Sequence, residues 1–207
     1  MTYVDSSGRA LADYPHPSVA VDTAVLTVAD RRLQVVLVES DGELRLPGTF
    51  LHEGEVLADA VRRSLRDKAG LTGLDPVQLH VFDALGRDDR GWVLSVAHVA
   101  VVPAGALGPL PRLTPVEEAV GLRYDHDAIV RLAVDWLRAR YRDKPDPDGL
   151  LADEFTLRDL QLLHEAVLGD RVMKDAFRRG MIDGLAETGR LSTGSVGKPA
   201  RLWRRKG

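Results

Sequence analysis

The chain has 207 residues, of which 44% are hydrophobic and 29% charged, a balance typical of a globular protein that buries a core and one that excludes a disordered chain. It has no cysteine, which excludes disulfides and thiolate metal sites. The six histidines lack zinc-site spacing, the amino terminus has no signal-peptide pattern, and no apolar run approaches the roughly 20 residues of a membrane span, so we expect a cytoplasmic protein without membrane contact.

The net charge of −3 is divided unevenly along the chain. Residues 1–154 contain 17 Lys and Arg against 25 Asp and Glu, whereas residues 155–207 contain 11 against 6. The last 18 residues hold six basic side chains and no acid. This pattern favours a polyanionic partner for the carboxyl-terminal part, and a solvated basic tail is the alternative.

The first hundred residues have the pattern of a sheet protein with one helix. "SVAVDTAVLTV" and "LQVVLVES", separated by "ADRR", predict an antiparallel pair of strands, and "ELRLPGTF" predicts a short strand that enters a Pro-Gly turn. A helix is predicted from Glu55 to Lys68, because Leu57, Val61 and Leu65 share one face and Gly70 is placed to end it. Two further strands, "VQLHVFDAL" and "WVLSVAHVAVV", flank the polar loop "GRDDRG".

A second long helix is predicted in "HDAIVRLAVDWLRARY", and it is followed by a change of pattern. Residues 142–149, "RDKPDPDG", have two prolines and nothing to bury, so they are interpreted as a linker. We therefore expect two domains, residues 1–148 and residues 149–207.

The second domain has the element order of a winged helix. "FTLRDLQLLHEAVLG" predicts a helix with Thr156 and Asp159 at capping-box spacing, and "MKDAFRRGMIDGLAETG" predicts another helix that Gly189 ends. A Gly- and Ser-rich hairpin follows in "RLSTGSVGKPARLWRR". Helix, turn, helix and basic hairpin indicate a DNA-binding winged helix-turn-helix, although such domains also mediate protein contacts.

The first domain resembles the Nudix hydrolases, whose box is G-x5-E-x7-R-E-U-x-E-E-x-G-U with U apolar. Five positions match and four do not; the matches are Glu55, Arg63, Leu65, Gly70 and Leu71, and the departures are Thr49, Ser64, Asp67 and Lys68. The resemblance implies an α+β fold in which a Nudix-type mixed sheet flanked by helices precedes the winged helix.

The departures remove most of the carboxylates with which a Nudix enzyme holds Mg²⁺. Positions 64, 67 and 68 are spaced by three and four and are expected to project together, but only Asp67 is acidic. An ammonium at Lys68 about 4 Å from a cation would repel it by several kcal/mol. We therefore expect no catalytic residue and no metal site, with Lys68 replacing the charge of the metal. In the alternative, Lys68 points into solvent and Asp67 pairs with Arg63.

The predicted ligand-binding residues combine four box positions, two retained and two departing, with two arginines at strand ends, where a guanidinium could bind phosphate in a bidentate manner. They are Arg45, Glu55, Arg63, Asp67, Lys68 and Arg87. Surface ion pairs are the alternative for Arg45 and Arg87.

The predicted DNA-binding residues lie on the second helix of the winged helix and on its hairpin. They are Lys174, Arg178, Arg179, Arg190, Thr193, Ser195, Lys198 and Arg201. A buried stripe of Met173, Phe177, Met181 and Leu185 is expected behind the basic face of the helix.

The combination of the two domains resembles the NrtR family of Nudix-related transcriptional regulators, in "FTLRDLQLLHEAVLG", in "FRR" at 177–179 and in "GKPARLWR". The resemblance implies a homodimeric repressor of NAD-metabolism genes. It would bind double-stranded operator DNA, require no cofactor, and sense ADP-ribose or another NAD-derived nucleotide. Family members often carry Asn where this chain has Ala176, so the operator sequence is not implied. The alternatives are an active metal-dependent Nudix pyrophosphohydrolase and a nucleotide sensor that contacts proteins.

Overall fold

The computed structural model describes residues 3–109, 111–193 and 199–206. The strands are β1 (Ser18–Ala29), β2 (Arg32–Ser40), β3 (Glu43–Arg45), β4 (Gly48–Phe50), β5 (Val77–Phe82), β6 (Val93–Val101), β7 (Arg112–Pro115), β8 (Phe155–Thr156), β9 (Leu185–Leu191) and β10 (Arg201–Arg205). The α-helices are α1 (Leu57–Ala69), α2 (His126–Arg140), α3 (Leu157–Leu168) and α4 (Lys174–Met181). Within the described ranges, none of these helices has the length and apolar character to cross a bilayer.

The amino-terminal part is a mixed sheet with a helix on each face. Its main path is β3-β2-β1-β6-β5, in which β1 and β6 are parallel and β1 and β2 form the predicted antiparallel pair. Side chains alternate along β1, so that Val21 and Val25 pack towards α1 while Ala24 and Leu26 pack towards α2. The predicted mixed sheet flanked by helices is present.

Helix α1 follows its sequence pattern closely. It spans Leu57–Ala69 and buries Val61 and Leu65 as predicted. Gly70 caps it in the left-handed region, with φ +66°, and its N–H donates to the carbonyl of Arg66. The helix therefore has a fixed position over the sheet.

The predicted linker, residues 142–149, is not free of the core. Asp146 is completely buried, and its carboxylate accepts hydrogen bonds from Tyr141, from Arg205 and from the backbone N–H groups of Leu150 and Leu151. The expectation that this segment has nothing to bury is wrong. Its charges and prolines suggested solvent exposure, but one carboxylate fastens the segment to α2 and to the last strand.

The winged helix has the predicted order, with one boundary moved. Thr156 and Asp159 form the predicted capping box at the start of α3. The next helix, in contrast, ends at Met181 and does not continue to Gly189, because residues from Leu185 onwards pair with β10 in the sheet β8-β10-β9. The ladder supplies backbone hydrogen bonds that a helix containing Gly180 and Gly184 would satisfy less favourably.

The expected buried stripe on α4 is also only partly present. Met181 and Leu185 are buried, Leu185 as a strand residue, and Phe177 is partly buried. Met173 is 81% exposed, because it precedes the first turn of the helix and lies outside the small core.

Helix α3 is packed against the amino-terminal sheet as well as within the winged helix. Its Leu163 and Val167 belong to the same buried cluster as Ile129, Val130 and Val134 of α2. Arg138 of α2 also donates to the carbonyl of Val167. The apolar core therefore continues from one half of the chain into the other.

A buried histidine lies at this junction. The ring of His164 packs edge-on against Tyr141 at 5.2 Å and Phe177 at 4.9 Å, and neither ring nitrogen has a hydrogen-bond partner. Burial lowers the pKa of His164 to about 4. The folded protein therefore holds this ring neutral at pH values at which an unfolded chain would bind a proton.

This arrangement predicts a loss of stability in acid that depends on His164. Between pH 6.5 and 4 the unfolded state binds the proton and the folded state does not. The free energy of unfolding therefore decreases as the pH is lowered, by up to roughly 3 kcal/mol. Urea unfolding measures this free energy at pH 7.5 and at pH 4.5. We expect the decrease in the free energy of unfolding between the two pH values to be smaller in His164→Phe than in the wild type, by roughly 2–3 kcal/mol. An unchanged difference between the two pH values would contradict this role.

Candidate nucleotide cleft and nucleic-acid interface

A cleft of about 150 Å³ opens beside the sheet, between the carboxyl-terminal half of α1 and the start of α2. Three of the predicted ligand-binding residues, Arg45, Lys68 and Arg87, line it. The Lys68 ammonium donates to the carbonyl of Gly48, and the partial burial of this group lowers its pKa.

The backbone of Gly48 lies directly against Asp22 at the floor of the cleft. A Cβ on Gly48 would lie 1.8 Å from Asp22 Oδ1, so only glycine fits at this position.

Arg45 keeps its guanidinium largely covered at the edge of the cleft. The side chain is 17% exposed and lies 3.2 Å from the half-buried Glu43 and 3.3 Å from the exposed Asp41. Its Nε is buried without a hydrogen-bond partner. An arginine with weak outer partners can turn to an anion in the cleft.

Arg87 forms an ion pair, but a buried one and not the surface ion pair that was the alternative to ligand binding. Its side chain is 2% exposed, and it donates to Asp125 and to the carbonyl of Tyr124, both at 2.7 Å. Tyr124 and Asp125 have φ of +60° and +64°, a left-handed backbone that non-glycine residues rarely adopt. Arg87 thus fixes the turn from which α2 begins.

Sequence reasoning missed Arg90, which the same loop places at the mouth of the cleft. Its guanidinium lies 4.4 Å from the ring of Tyr124 and 5.0 Å from that of Phe50. The buried Asp88 holds it with hydrogen bonds of 2.6 and 2.8 Å. The signal was present in "GRDDRG", whose two arginines could not be ranked without the loop conformation.

Sequence reasoning also missed a polar cluster under the cleft. Asp22 is buried in the middle of β1, where it accepts from Ser95 at 2.5 Å and lies 3.3 Å from Nε2 of His126. The backbone N–H of Leu46 donates to Nδ1 of His126, so the ring proton is on Nε2. Burial by itself would raise the pKa of Asp22, but the hydrogen bonds from His126 and Ser95 outweigh it and lower the pKa. A carboxylate therefore remains beneath Lys68.

Glu55 and Arg63 contact each other and the loop before α1. The guanidinium of Arg63 makes two hydrogen bonds of 2.8 Å to Glu55 and also donates to Thr49 and to the carbonyl of Phe50. The hydrogen bonds from Arg63 lower the pKa of Glu55 to about 2. Neither residue lines the cleft, so the structure gives them the role of fixing its rim.

The expectation that positions 64, 67 and 68 project together is wrong. Ser64 is 2% exposed with its hydroxyl unpartnered, whereas Asp67 is exposed and pairs with Arg66 at 2.8 Å. Residues 67 and 68 are separated by about 100° around a helix, so Lys68 faces the cleft while Asp67 faces solvent. The alternative pairing of Asp67 with Arg63 is not formed either.

The candidate DNA surface lies on α4 and on the strands of the hairpin. Lys174, Arg178 and Arg179 are exposed, and none takes part in an ion pair with another described residue. On the strands, Arg190 pairs with Glu154 and Arg201 pairs with Glu187, both at 2.9 Å. Thr193, two residues after the end of β9, is exposed. The predicted residues Ser195 and Lys198 lie outside the described residues.

Comparison with known proteins matches both halves of this architecture. The family model for the NrtR DNA-binding winged helix domain matches residues 149–205. A protein of Acinetobacter baylyi described as the ADPR responsive transcriptional repressor NtrR is 31% identical over 93% of this chain and 84% of its own length. The chain belongs to the NrtR family.

Solved structures agree with this assignment. Shewanella oneidensis NrtR complexed with a 27mer DNA superposes with a TM-score of 0.76 and 29% identity, over 91% of this chain and 93% of that one. The Nudix domain of the same protein, complexed with ADP ribose, gives a TM-score of 0.55 and 25% identity over 63% of this chain and 95% of its own. The family and fold predicted from the sequence are confirmed.

One enzyme is also similar to part of the chain. An ADP-ribose pyrophosphatase of Methanocaldococcus jannaschii is 28% identical over 59% of this chain and 76% of its own length.

The Nudix fold implies a divalent metal at α1, but the donors in this NrtR-family chain do not fit one. Ser64 offers a buried hydroxyl, Asp67 faces away, and Lys68 brings a positive charge to the place where a cation would lie. Within the described ranges, His, Asp and Glu side chains form no group of three that could hold a metal ion. Lys68 and Arg45 instead present donors suited to an anionic oxygen.

Proposed function

We propose that this chain is a transcriptional repressor that binds operator DNA and releases it when ADP-ribose occupies the cleft. The observation that carries the proposal is that the buried core beneath the cation-lined cleft extends to α3. His164 of α3 packs in turn against Phe177 of α4, a helix with three exposed basic side chains that pair with no described residue. The family relatives support it, since one is described as ADPR-responsive and another was solved with DNA and with ADP ribose.

In this proposal the diphosphate lies against Arg45 and Lys68, and Arg90 with the rings of Phe50 and Tyr124 contacts the remainder of the nucleotide. Arg87, Glu55 and Arg63 act indirectly by holding the loops, and Asp67 has no contact with ligand. A cleft of about 150 Å³ holds the diphosphate and leaves the ends of a larger nucleotide over its rim.

In the same proposal the domain of residues 149–207 binds DNA. Lys174, Arg178 and Arg179 enter or border the major groove, and Arg190, Thr193, Ser195, Lys198 and Arg201 serve the hairpin contacts with the backbone. The domain of residues 1–148 binds effector. The working unit is a homodimer in the cytoplasm, since two winged helices read two half-sites of an operator. Effector binding need change the free energy of DNA binding by only about 1–3 kcal/mol.

The proposal includes the absence of hydrolysis, because the donors at α1 do not fit Mg²⁺. An active pyrophosphohydrolase with an accessory winged helix is the second candidate, favoured by the similarity to an archaeal ADP-ribose pyrophosphatase. Incubation of the purified chain with ADP-ribose and Mg²⁺ or Mn²⁺ separates the two, and brisk product release would establish the second.

The repressor function is tested by fluorescence anisotropy with the duplex upstream of the chain's own gene. We expect binding that weakens steeply with salt, and a 5- to 150-fold loss of affinity on addition of ADP-ribose. Arg178→Ala should lose operator affinity while calorimetry shows unchanged ADP-ribose binding. DNA affinity that ADP-ribose leaves unaltered would contradict the proposal.

A further inference from the structure

The turn between β1 and β2 places an arginine where glycine would be less strained. Asp30 and Arg31 form the two-residue connection between the paired residues Ala29 and Arg32, with φ of +51° and +59°. Turns of this kind favour Asn, Asp and Gly, because other side chains rarely adopt the left-handed region. The geometry of the turn therefore gives no reason for an arginine at position 31.

Ion pairing gives no reason either. Arg31 is exposed and enters no ion pair with any residue in the described ranges. The next residue, Arg32, is held by Glu117 at 2.5 Å and by Glu118 at 2.7 Å. Of two adjacent arginines, one is thus fixed by carboxylates and the other presents its guanidinium to solvent.

Arg31 faces the helix-turn-helix across a groove. The groove, about 820 Å³ in volume, is also lined by Arg158 of α3, Arg171 of the turn, and Met173, which immediately precedes the recognition helix α4. Arg158 and Arg171 are exposed and, like Arg31, form no ion pair with a described residue. Three free guanidinium groups from two halves of the chain therefore border the amino terminus of α4.

The acidic residues of the groove offset these arginines only in part. The pKa of Glu165 is lowered first by the hydrogen bonds from Gln161 and Val172, and the charges of Arg171 and Arg158 add to the effect. Glu165 accepts hydrogen bonds from Gln161 and from the backbone N–H of Val172, which fixes the turn before α4. Asp170 is the other acid of the lining, so the groove has three positive and two negative side chains, and one of the negative ones is engaged.

We propose that Arg31, together with Arg158 and Arg171, contacts the DNA phosphate backbone beside the recognition helix. The inference rests on the proposed function, and it extends the DNA-binding surface to the first hairpin of the effector-binding half. Arginine suits phosphate because its planar guanidinium donates two parallel hydrogen bonds. Such contacts orient a protein on the duplex without reading the base sequence.

The inference is tested with Arg31→Gly, because glycine suits the left-handed backbone of the turn and the substitution removes the guanidinium together with the rest of the side chain. We expect thermal stability at least equal to that of the wild type, with a three- to tenfold loss of DNA affinity. The slope of log affinity against log salt should be smaller by about one, the amount expected for one lost phosphate contact. The loss should be equal on the upstream duplex and on a duplex of scrambled sequence. Arg31→Lys should recover most of it.

Arg112→Ala is the matched control. Arg112 is an exposed arginine of β7, paired opposite Leu37 and therefore far along β2 from the turn. The Arg112→Ala substitution removes the same net charge as Arg31→Gly. We expect it to leave the DNA affinity and the slope of log affinity against log salt unchanged. If Arg31→Gly and Arg112→Ala behave alike, the inference is wrong. If the wild-type chain itself shows no salt-dependent DNA binding, the proposed function fails and the inference with it.

Discussion

Replacing Asp146 with alanine is expected to lower the free energy of unfolding by about 3–5 kcal/mol. The carboxylate is completely buried and accepts from four donors, of which the guanidinium of Arg205 is the closest at 2.6 Å. Alanine would leave a charged arginine, a buried tyrosine hydroxyl and two backbone N–H groups without their acceptor. Urea unfolding at neutral pH measures the effect.

The matched control for this prediction is Asp153→Ala. Asp153 also lies near Arg205, at 3.6 Å, but it is fully exposed, so its removal should change stability by less than about 0.5 kcal/mol. Asp146→Asn should fall between the two, because asparagine tolerates the left-handed backbone, with φ +49°, but has one carbonyl oxygen in place of two acceptors. Equal stability of Asp146→Ala and Asp153→Ala would show that the buried carboxylate does not fasten the two halves.

Replacing Lys68 with glutamate is expected to weaken ADP-ribose binding at least 100-fold, or about 3 kcal/mol. The ammonium lies in the cleft beside Arg45 and above the buried Asp22, so the substitution exchanges an attractive charge for one that repels a diphosphate. Isothermal titration calorimetry measures the affinity. The variant should bind operator DNA and fail to release it when ADP-ribose is added, since the DNA-binding residues are untouched.

Arg66→Glu is the control for the charge change. It lies on the same helix and alters the net charge equally, but its side chain is 57% exposed and pairs with Asp67 outside the cleft. We expect ADP-ribose affinity within about twofold of the wild type, because exposed charges are screened by solvent. If both variants bind ADP-ribose equally well, Lys68 is not a ligand contact. Lys68→Glu should also remain without rapid hydrolysis, because position 64 still has no carboxylate.

Local signals in the sequence were sufficient for most of the elements. The hairpin of β1 and β2, the helix ended by Gly70 and the capping box of Thr156 and Asp159 are all found where they were predicted. Each depends on residues that are near one another along the chain, whose spacing and backbone preferences are visible in the sequence. The winged helix was recognisable for the same reason.

The end of α4 shows where local signals stop being sufficient. Residues 182–189 have a weak helical pattern, yet they form one turn of 3-10 helix and then a strand, because β10 offers them a ladder. The choice depends on a strand that comes later in the sequence, and on the close contact of Gly184 with Pro145, which leaves no room for a Cβ. Pairing between distant segments overrides a weak local preference.

For this chain, the sequence by itself determined the two kinds of domain, the family, and the exchange of metal-binding carboxylates for Ser64 and Lys68, because those are properties of residue type and spacing. Only the tertiary structure decided that Asp67 faces away, that Arg87 holds a turn, that Asp22, Ser95 and His126 meet beneath the cleft, and that Asp146 fastens the two halves. A buried charge is stable only with partners, and those partners come from strands and helices far apart in the chain, so their meeting is a property of the packed fold.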